Sequence, residues 1–244
     1  MGSFFAGVKA GTLAGTAYVG VLAVFNVLLL YALKPDVLAI ISQSYPTLCT
    51  TAVSANSTAI GVEDCFSSVV AVYIPFVAFL QFFVALACSG VFGRLYEHFP
   101  GNGPTPKGLT MGAVVGISLV AFNLAGIDFD FVARVTATTF FVFWTLAYGA
   151  VLGRLYRRYT RVVQFVSRDG QALRVLVDNR DYTGKSRTFA LRSSHEVRAV
   201  TEGGNSFREW SVSGGISVED PRSYETTMEV EGDGVLIGQP VPKS

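Results

Sequence analysis

The side chains that could carry out chemistry are few and lie far apart in the chain. His98 and His195 are the only two histidines, one at the edge of an apolar stretch and the other in a β-rich region. Zinc sites need an imidazole beside further ligands, and a His-assisted nucleophile needs one beside a hydroxyl. Because the two histidines belong to different parts of the chain, we expect neither a metal site nor a Ser-His hydrolase site.

A second motif that could bind a ligand is Gly184-Lys185-Ser186, which matches the end of a phosphate-binding loop. The motif also requires a glycine five residues earlier, and Asn179 stands there instead. Strands rather than a helix are predicted around it. The sequence therefore predicts no nucleotide, cofactor or catalytic site.

Polar side chains inside the apolar stretches form the third candidate group. They are Asn26, Gln81 and Asn123, with no carboxylate or lysine among them. Ion-coupled pumps usually need buried ionisable groups, so this composition disfavours proton-driven transport. Asn26 and Asn123 could line a narrow polar path or hydrogen-bond between helices, and both interpretations stay open.

The elements that must position these residues are predicted by composition. The chain has 244 residues, of which 50% are hydrophobic and 15% charged, and its mean hydropathy is +0.44. These values are typical of a membrane protein. The net charge of +1 argues against nucleic acid as a partner, because phosphate backbones attract clustered cations.

Four stretches have roughly the 20 apolar residues that a membrane-spanning helix needs. They cover residues 13–33, 67–91, 109–125 and 132–152. We therefore predict a four-helix transmembrane domain over residues 1–160, followed by a soluble domain over residues 161–244. The lipid bilayer is the first predicted partner.

Basic residues near the helix ends indicate the orientation. They cluster in the connection between the second and third stretches and after the fourth, as Arg94, Lys107, Arg154, Arg157, Arg158 and Arg161. The positive-inside rule then places both termini in the cytoplasm of a plasma-membrane protein. The connection over residues 34–66 faces the oxidising side, where Cys49 and Cys65 form either a disulfide or two free thiols.

The first half of the apolar region resembles the second. Phe92-Gly93-Arg94-Leu95-Tyr96 ends the second stretch and Leu152-Gly153-Arg154-Leu155-Tyr156 ends the fourth. Matching residues in the first and third stretches are Gly11, Gly15, Leu22, Phe25 and Asn26, and Gly108, Gly112, Leu119, Phe122 and Asn123. The pattern predicts two tandem helical hairpins of the same orientation.

Glycines recur one helical turn apart in the first and third stretches. They are Gly7, Gly11 and Gly15, and Gly108, Gly112 and Gly116. Small residues at this spacing let helix backbones approach closely. We expect these strips to bring the first and third helices together, within one chain or between subunits of a homo-oligomer.

From Arg161 onward, short alternating apolar runs separated by turn residues predict about seven strands and a small all-β sandwich, with Trp210 at its centre. The region has Phe207, Trp210 and Gly214-Gly215 in the order F-x-x-W-x-x-x-G-G, followed by Thr226-Thr227-Met228-Glu229-Val230. This resembles the small Ig-like β-sandwich modules of archaeal and bacterial surface and membrane-anchored proteins. The resemblance implies an adhesive or scaffolding module without a catalytic site.

Taken together, these features predict a non-enzymatic, archaeal-type membrane protein that displays an interaction module and binds a protein partner or a second copy of itself. The alternative is a small channel or carrier with Asn26, Gln81 and Asn123 along its path. One conflict stays open, because modules of the resembling kind usually lie outside the cell, whereas the arginines after the fourth stretch favour the cytoplasm.

Overall fold

The structure is a computed structural model and describes residues 3–44, 62–101, 103–126, 131–168, 173–201 and 206–241. By its internal contacts the chain forms two compact units. One contains Met1–Thr12 and Cys88–Ser244, and the other contains Leu13–Ala87. This division differs from the predicted boundary at residue 160, because the last strands make direct contacts with the helix ends that precede them.

The helices are α1 (Phe4–Ala32), α2 (Lys34–Ser44), α3 (Val62–Leu95), α4 (Pro104–Gly126) and α5 (Phe131–Arg158), with a 3₁₀ turn at Tyr96–His98 after α3. Each predicted stretch lies within a helix, apart from the last residue of the first stretch. The helices extend beyond the apolar runs because polar residues continue the backbone hydrogen bonds. In the predicted connection over residues 34–66, α2 follows α1 directly, with Pro35 in its first turn, where a missing N–H costs little.

Among the described residues, three helical segments are long and apolar enough to cross a membrane: Phe4–Ala32, Phe66–His98 and Val135–Arg158. They leave large apolar side chains exposed along their lengths, for example Val72 and Phe76 in α3 and Phe143 in α5. Such exposure is expected for helices that face lipid, because acyl chains solvate these side chains.

In the unit Leu13–Ala87, α1 and α3 approach closely. Gly15 leaves space for the Ala85 methyl group and the Phe82 ring, both in van der Waals reach of a Cβ at that position. Near the other end of the pair, the buried Phe66 ring contacts Tyr31, with centroids 5.3 Å apart, and lies below the Lys34 ammonium. Small residues and aromatic packing together hold this pair.

The seven strands are β1 (Thr160–Ser167), β2 (Leu173–Val177), β3 (Arg180–Asp181), β4 (Ser186–Ala190), β5 (Ser193–Thr201), β6 (Ser206–Val218) and β7 (Glu225–Val241). We call residues 160–241 the β-domain. The strands form one sheet in the order β3-β2-β5-β7-β1-β4, with β6 also on β7. All neighbouring strands are antiparallel except β1 and β7, which run parallel.

The sheet curls because β6 and β7 bend together. Residues 225–230 of β7 pair with β5, residues 234–238 pair with β1, and β6 pairs with both parts. Gly214, Gly215 and Gly232 lie at the bend, where neighbouring backbones leave no room for a Cβ. Gly214 also has a φ of +82°, which favours glycine. One curled mixed sheet thus encloses the core, where the sequence predicted two packed sheets.

The core of the β-domain draws residues from every strand except the short β3. Val163, Leu173, Val175, Val177, Val197, Met228, Val230 and Leu236, with Phe165, Phe189, Ala199, Trp210 and Ile216, are buried together. Trp210 was predicted at this centre and is 3% exposed. Its backbone N–H donates to Pro221 O at 2.7 Å and its indole N–H to Ser223 O at 2.9 Å. The β6–β7 connection therefore covers the outer edge of β6.

Candidate functional site at the junction of the helices and the β-domain

The β-domain begins immediately after α5. That helix ends at Arg158 and β1 starts at Thr160, with only Tyr159 between them. The buried Thr160 hydroxyl donates to Tyr156 O at 2.9 Å, and Leu191 N donates to Tyr159 O at 2.9 Å. This segment has no linker composition and its backbone groups are paired, so the last helix passes directly into the first strand.

A bidentate ion pair joins the same helix end to the β6–β7 bend. Arg157 donates from both terminal nitrogens to the Asp233 carboxylate, at 3.1 Å to Oδ1 and 2.5 Å to Oδ2. Val162 N donates to Asp233 Oδ1 at 2.7 Å. Fork-to-fork geometry restricts orientation as well as distance. Because the two side chains are 36% and 50% exposed, solvent screening keeps the energy of the pair modest, at about 1 kcal/mol or less.

The Arg157–Asp233 pair predicts a loss of stability in acid. The hydrogen bonds from Arg157 lower the pKa of the Asp233 carboxyl below its ordinary value, with the Val162 N–H acting in the same direction. A lowered folded-state pKa means that the stabilisation is present above the unfolded pKa of about 3.9 and is lost as pH falls through the folded value. Asp233→Asn should therefore lower the melting temperature in detergent at pH 7 and lose this deficit near pH 2. A deficit that does not change with pH would contradict this assignment.

Glu97 makes a second connection, in the 3₁₀ turn after α3. Its carboxylate accepts a hydrogen bond from Thr188 N at 2.8 Å. Thr188 lies in β4, an edge strand of the sheet. Exposed edge N–H groups can pair with foreign strands, so this contact both protects the edge and holds it against the helix ends.

Two tyrosines fill the space between the helix ends. Tyr156 is fully buried, and its ring lies 4.5 Å from that of Tyr96. The Tyr156 hydroxyl donates to Gly93 O at 3.1 Å and accepts from Ser3 N at 2.9 Å. Lys107 Nζ donates to Tyr96 O at 3.0 Å and lies over the Tyr96 ring. Tyr96 and Tyr156 are the last residues of the two repeated pentapeptides. The repeat was therefore the sequence feature that could have pointed to them.

The glycine strips lie at close helix contacts. A Cβ on Gly108 would overlap Gly149 O, and one on Gly112 would overlap Thr145 O, so these glycines of α4 are pressed against α5. Gly116 faces the Thr145 hydroxyl. Gly7 of α1 would likewise meet Ser89 O of α3. Gly11 is buried.

The sequence predicts that the two strips meet each other, within one chain or between subunits. The described contacts of the α1 strip are with α3, and those of the α4 strip are with α5. Both contacts depend on small residues on the opposite helix, such as Gly93, Gly149 and Gly153. In each hairpin, the glycines of one helix therefore pack against small residues of the other helix, and both sets lie in the same helix–helix contact.

Of the other predicted residues, the structure describes the side chains of Asn26 and Gln81. Asn26 is half-buried in α1, and Gln81 lies in α3 with its Oε1 buried and without a hydrogen-bond partner in the described part of the chain. The side chain of Asn123 lies outside the described residues. Cys49 and the side chain of Cys65 also lie outside them, so the structure does not describe the predicted disulfide.

A polar network that the sequence analysis missed lies at one end of β5. His195 Nδ1 is 3.0 Å from Asp178 Oδ2, and His195 Nε2 is 2.9 Å from Ser193 Oγ. Arg187 donates to the same Asp178 oxygen at 3.2 Å. The β2–β3 turn places Asp178 beside β5, a contact that the separation of His98 from His195 along the chain did not indicate. The signal was the alternation in Ser193-Ser194-His195, which puts the serine and histidine on one face.

The number of available protons limits how this network can be hydrogen-bonded. Ser193 Oγ lies 2.7 Å from Ala190 O, which can only accept a hydrogen bond. The single hydroxyl proton cannot serve both Ala190 O and His195 Nε2. When it serves the carbonyl, the imidazole does not activate the serine as a nucleophile. In either arrangement the network joins β5 to the β2–β3 turn.

The titration of His195 provides a test. Burial lowers the pKa of His195 below its ordinary value of 6.5, although the Asp178 carboxylate opposes this and Arg187 adds to it. NMR titration in a His98→Asn background should give a value below 6.5 for the one remaining imidazole. Asp178→Asn should lower it further, and Arg187→Gln should raise it. A wild-type value above 6.5 would contradict the dominance of burial.

The fold and the junction define a class of protein: an α-helical protein with helices suited to span a membrane and a curled β-domain built directly on its last helix. No family model, curated protein or solved structure matches the chain.

Proposed function

We propose that this chain is a non-enzymatic, multi-pass membrane protein that holds its β-domain in a fixed orientation at the membrane surface for binding to a protein partner or a second copy. The observation that carries the proposal is the bidentate Arg157–Asp233 pair across a helix-to-strand connection of a single residue. A flexible display would need a linker. Here α5 is joined to β1 by one residue and to the β6–β7 bend by the ion pair, so the orientation of the sheet follows that of α5.

The outer face of the sheet supports an interaction role. Glu196 and Arg198 of β5 and Glu225 and Glu229 of β7 are exposed, and Arg198 pairs loosely with Glu225 at 3.6 Å. Weak, exposed ion pairs cost little to exchange for contacts with a partner. The face is therefore charged, mixed in sign and available for binding.

The proposal includes four spans and a repeated hairpin. In addition to the three apolar segments, α4 has 23 residues, which at about 1.5 Å each would extend about 34 Å. Two pairs of contacts support the repeat. Gly15 packs on Ala85 in one hairpin, and Gly112 packs on Thr145 in the other, at matching sequence positions. In both hairpins, a glycine of the first helix then packs on a small residue at the matching position of the second helix.

Site-specific photocrosslinking in cells tests the binding role. A benzophenone residue at Glu196 or Arg198 should give discrete adducts, either a dimer of this chain or one defined heterologous band. The same residue at lipid-facing Val72 is the matched control and should give neither. Absence of any protein adduct from the outer face would contradict the proposal.

A reporter attached after Ser244 tests the cytoplasmic placement of the C-terminus. If the placement is correct, an impermeant probe does not reach the reporter in intact cells.

The non-enzymatic part has its own test, aimed at the Ser193 hydroxyl. A fluorophosphonate probe should not label Ser193 in the purified chain, and Ser193→Ala should give the same background as the wild type. Labelling that disappears in both Ser193→Ala and His195→Ala would show an activated nucleophile and overturn this part of the proposal.

One observation favours the rival function, a small channel or carrier. Gln81 Oε1 is buried, has no hydrogen-bond partner among the described residues and lies in a helix suited to span a membrane, where an unpaired polar atom is costly. A water or a passing solute could satisfy it. Liposome flux that is present in the wild type and absent in Asn26→Leu/Asn123→Leu and in Gln81→Leu would favour a conducting path. No flux in any of the three would favour the display function.

A further inference from the structure

Cationic side chains form a belt at one level of the helix ends. Three contacts define that level: Gly7 lies against Gly93, the Tyr156 hydroxyl donates to Gly93 O, and Gly153 lies against Gly108. Because these backbones touch, residues within about one turn of them share the same height along the helices. The exposed cations at this height are Lys9, Arg94, Arg154 and Arg158, which we call the basic belt.

The belt is free to bind a ligand. Within the described part of the chain, the side chains of Lys9, Arg94, Arg154 and Arg158 make no hydrogen bond or ion pair. The two carboxylates of the junction are already engaged, Asp233 by Arg157 and Glu97 by Thr188 N. The belt therefore carries uncompensated positive charge.

Exposed apolar side chains lie one turn from the belt on the same helix faces. Val91 of α3 is 48% exposed and precedes Arg94 by three residues, and Val151 of α5 is 44% exposed and precedes Arg154 by three. Residues three apart are neighbours on a helix surface. Arg158 follows Arg154 by four residues and continues that row. Along each of these faces, apolar side chains are followed by basic ones toward the end of the helix. Acyl chains and phosphates follow one another in the same order in a lipid leaflet.

We propose that the basic belt binds the phosphate groups of anionic phospholipids and selects them over zwitterionic lipids. The inference rests on the proposed membrane placement, since it needs acyl chains beside Val91 and Val151. Guanidinium groups fit phosphate oxygens in pairs, and binding breaks no hydrogen bond or ion pair of these side chains that the described residues show. Because the belt lies on the helix ends that carry the β-domain, the lipid composition of the leaflet would then affect how firmly the β-domain is held.

Quenching of tryptophan fluorescence by brominated lipids tests the proposal on the full chain. Trp144 lies in α5, within the spanning-length segment, whereas Trp210 is buried in the β-domain and supplies an unquenched baseline. The chain is reconstituted in mixtures of brominated phosphatidylglycerol or brominated phosphatidylcholine with unbrominated lipid, and the relative binding constant of the anionic lipid is measured.

The wild type should prefer phosphatidylglycerol by roughly fivefold or more. Arg94→Gln/Arg154→Gln/Arg158→Gln should bring the preference to about one, and the matched control Lys185→Gln/Arg208→Gln/Arg222→Gln in the β-domain should keep it. Added salt should weaken it, because exposed charges are screened. Equal preference in the wild type and the belt variant would overturn the proposal.

Two further outcomes separate the alternatives. If inorganic phosphate lowers the preference more than potassium chloride at equal ionic strength, the belt is a free-phosphate site and the lipid proposal fails. If brominated phosphatidylcholine does not quench Trp144 at all, the helices do not contact acyl chains, and the membrane placement itself fails.

Discussion

Gly108→Ala is expected to destabilise the α4–α5 pair by about 1–2 kcal/mol, although alanine is the better helix former. The added methyl group would overlap Gly149 O and approach the Gly153 Cα, so one backbone must move. Overpacking of this kind costs roughly 1–3 kcal/mol, more than the gain of about 1 kcal/mol from helix propensity. Thermal unfolding in detergent, followed by circular dichroism at a helix wavelength, measures the effect.

The matched control for Gly108→Ala is Gly20→Ala. Gly20 also lies within a helix suited to span a membrane, but a Cβ there meets nothing within 4 Å. We therefore expect Gly20→Ala to be neutral or slightly stabilising. Similar destabilisation by both substitutions would mean that the loss of stability does not come from a clash with α5. The close α4–α5 contact would then be contradicted.

Trp210→Ala is expected to cost about 3–5 kcal/mol and to unfold the β-domain near physiological temperature. The indole is 3% exposed, packs 5.0 Å from the Phe207 ring and donates to Ser223 O. Its loss leaves a cavity and releases the loop that covers the edge of β6. Near-ultraviolet circular dichroism and limited proteolysis after Arg161 follow the loss.

Trp210→Phe separates the two contributions to that effect. It keeps most of the aromatic volume and removes the hydrogen bond, so about 1–2 kcal/mol of destabilisation is expected. A Trp210→Phe variant as unstable as Trp210→Ala would mean that the loop contact, not the packing, maintains the fold of the domain.

The sequence predicted the elements that depend on local composition. Apolar length located the helices, because a spanning segment has to be apolar throughout, and alternation with turn residues located the strands. One pair of turn residues between these runs is Asp178-Asn179, and both have positive φ in a two-residue hairpin. Trp210 was expected at the centre of the core, as the structure places it. These signals lie within a few residues of the element that they predict.

What the sequence could not predict depends on contacts between distant segments. The pairing of β1 with β7 is parallel and joins residues about 70 apart, so one curled sheet could not be distinguished from two. The Arg157–Asp233 pair is a contact of the same long range. His195 was judged by its distance from His98, whereas its partners come from the register of β5 and a neighbouring turn. Charge position located Arg94, Arg154 and Arg158 near the helix ends, but it did not indicate that their side chains make no ion pair within the described residues.

The central claim is that the junction holds the β-domain in one orientation. Spin labels at Val151→Cys on α5 and Ser217→Cys on β6, with Cys49, Cys65 and Cys88 replaced by serine, report the distance between the two parts in lipid nanodiscs by pulsed electron resonance. We predict a single narrow distance distribution that broadens in Asp233→Ala. A wild-type distribution already as broad as that of the variant would contradict the claim, because the β-domain would then move independently of the helix that carries it.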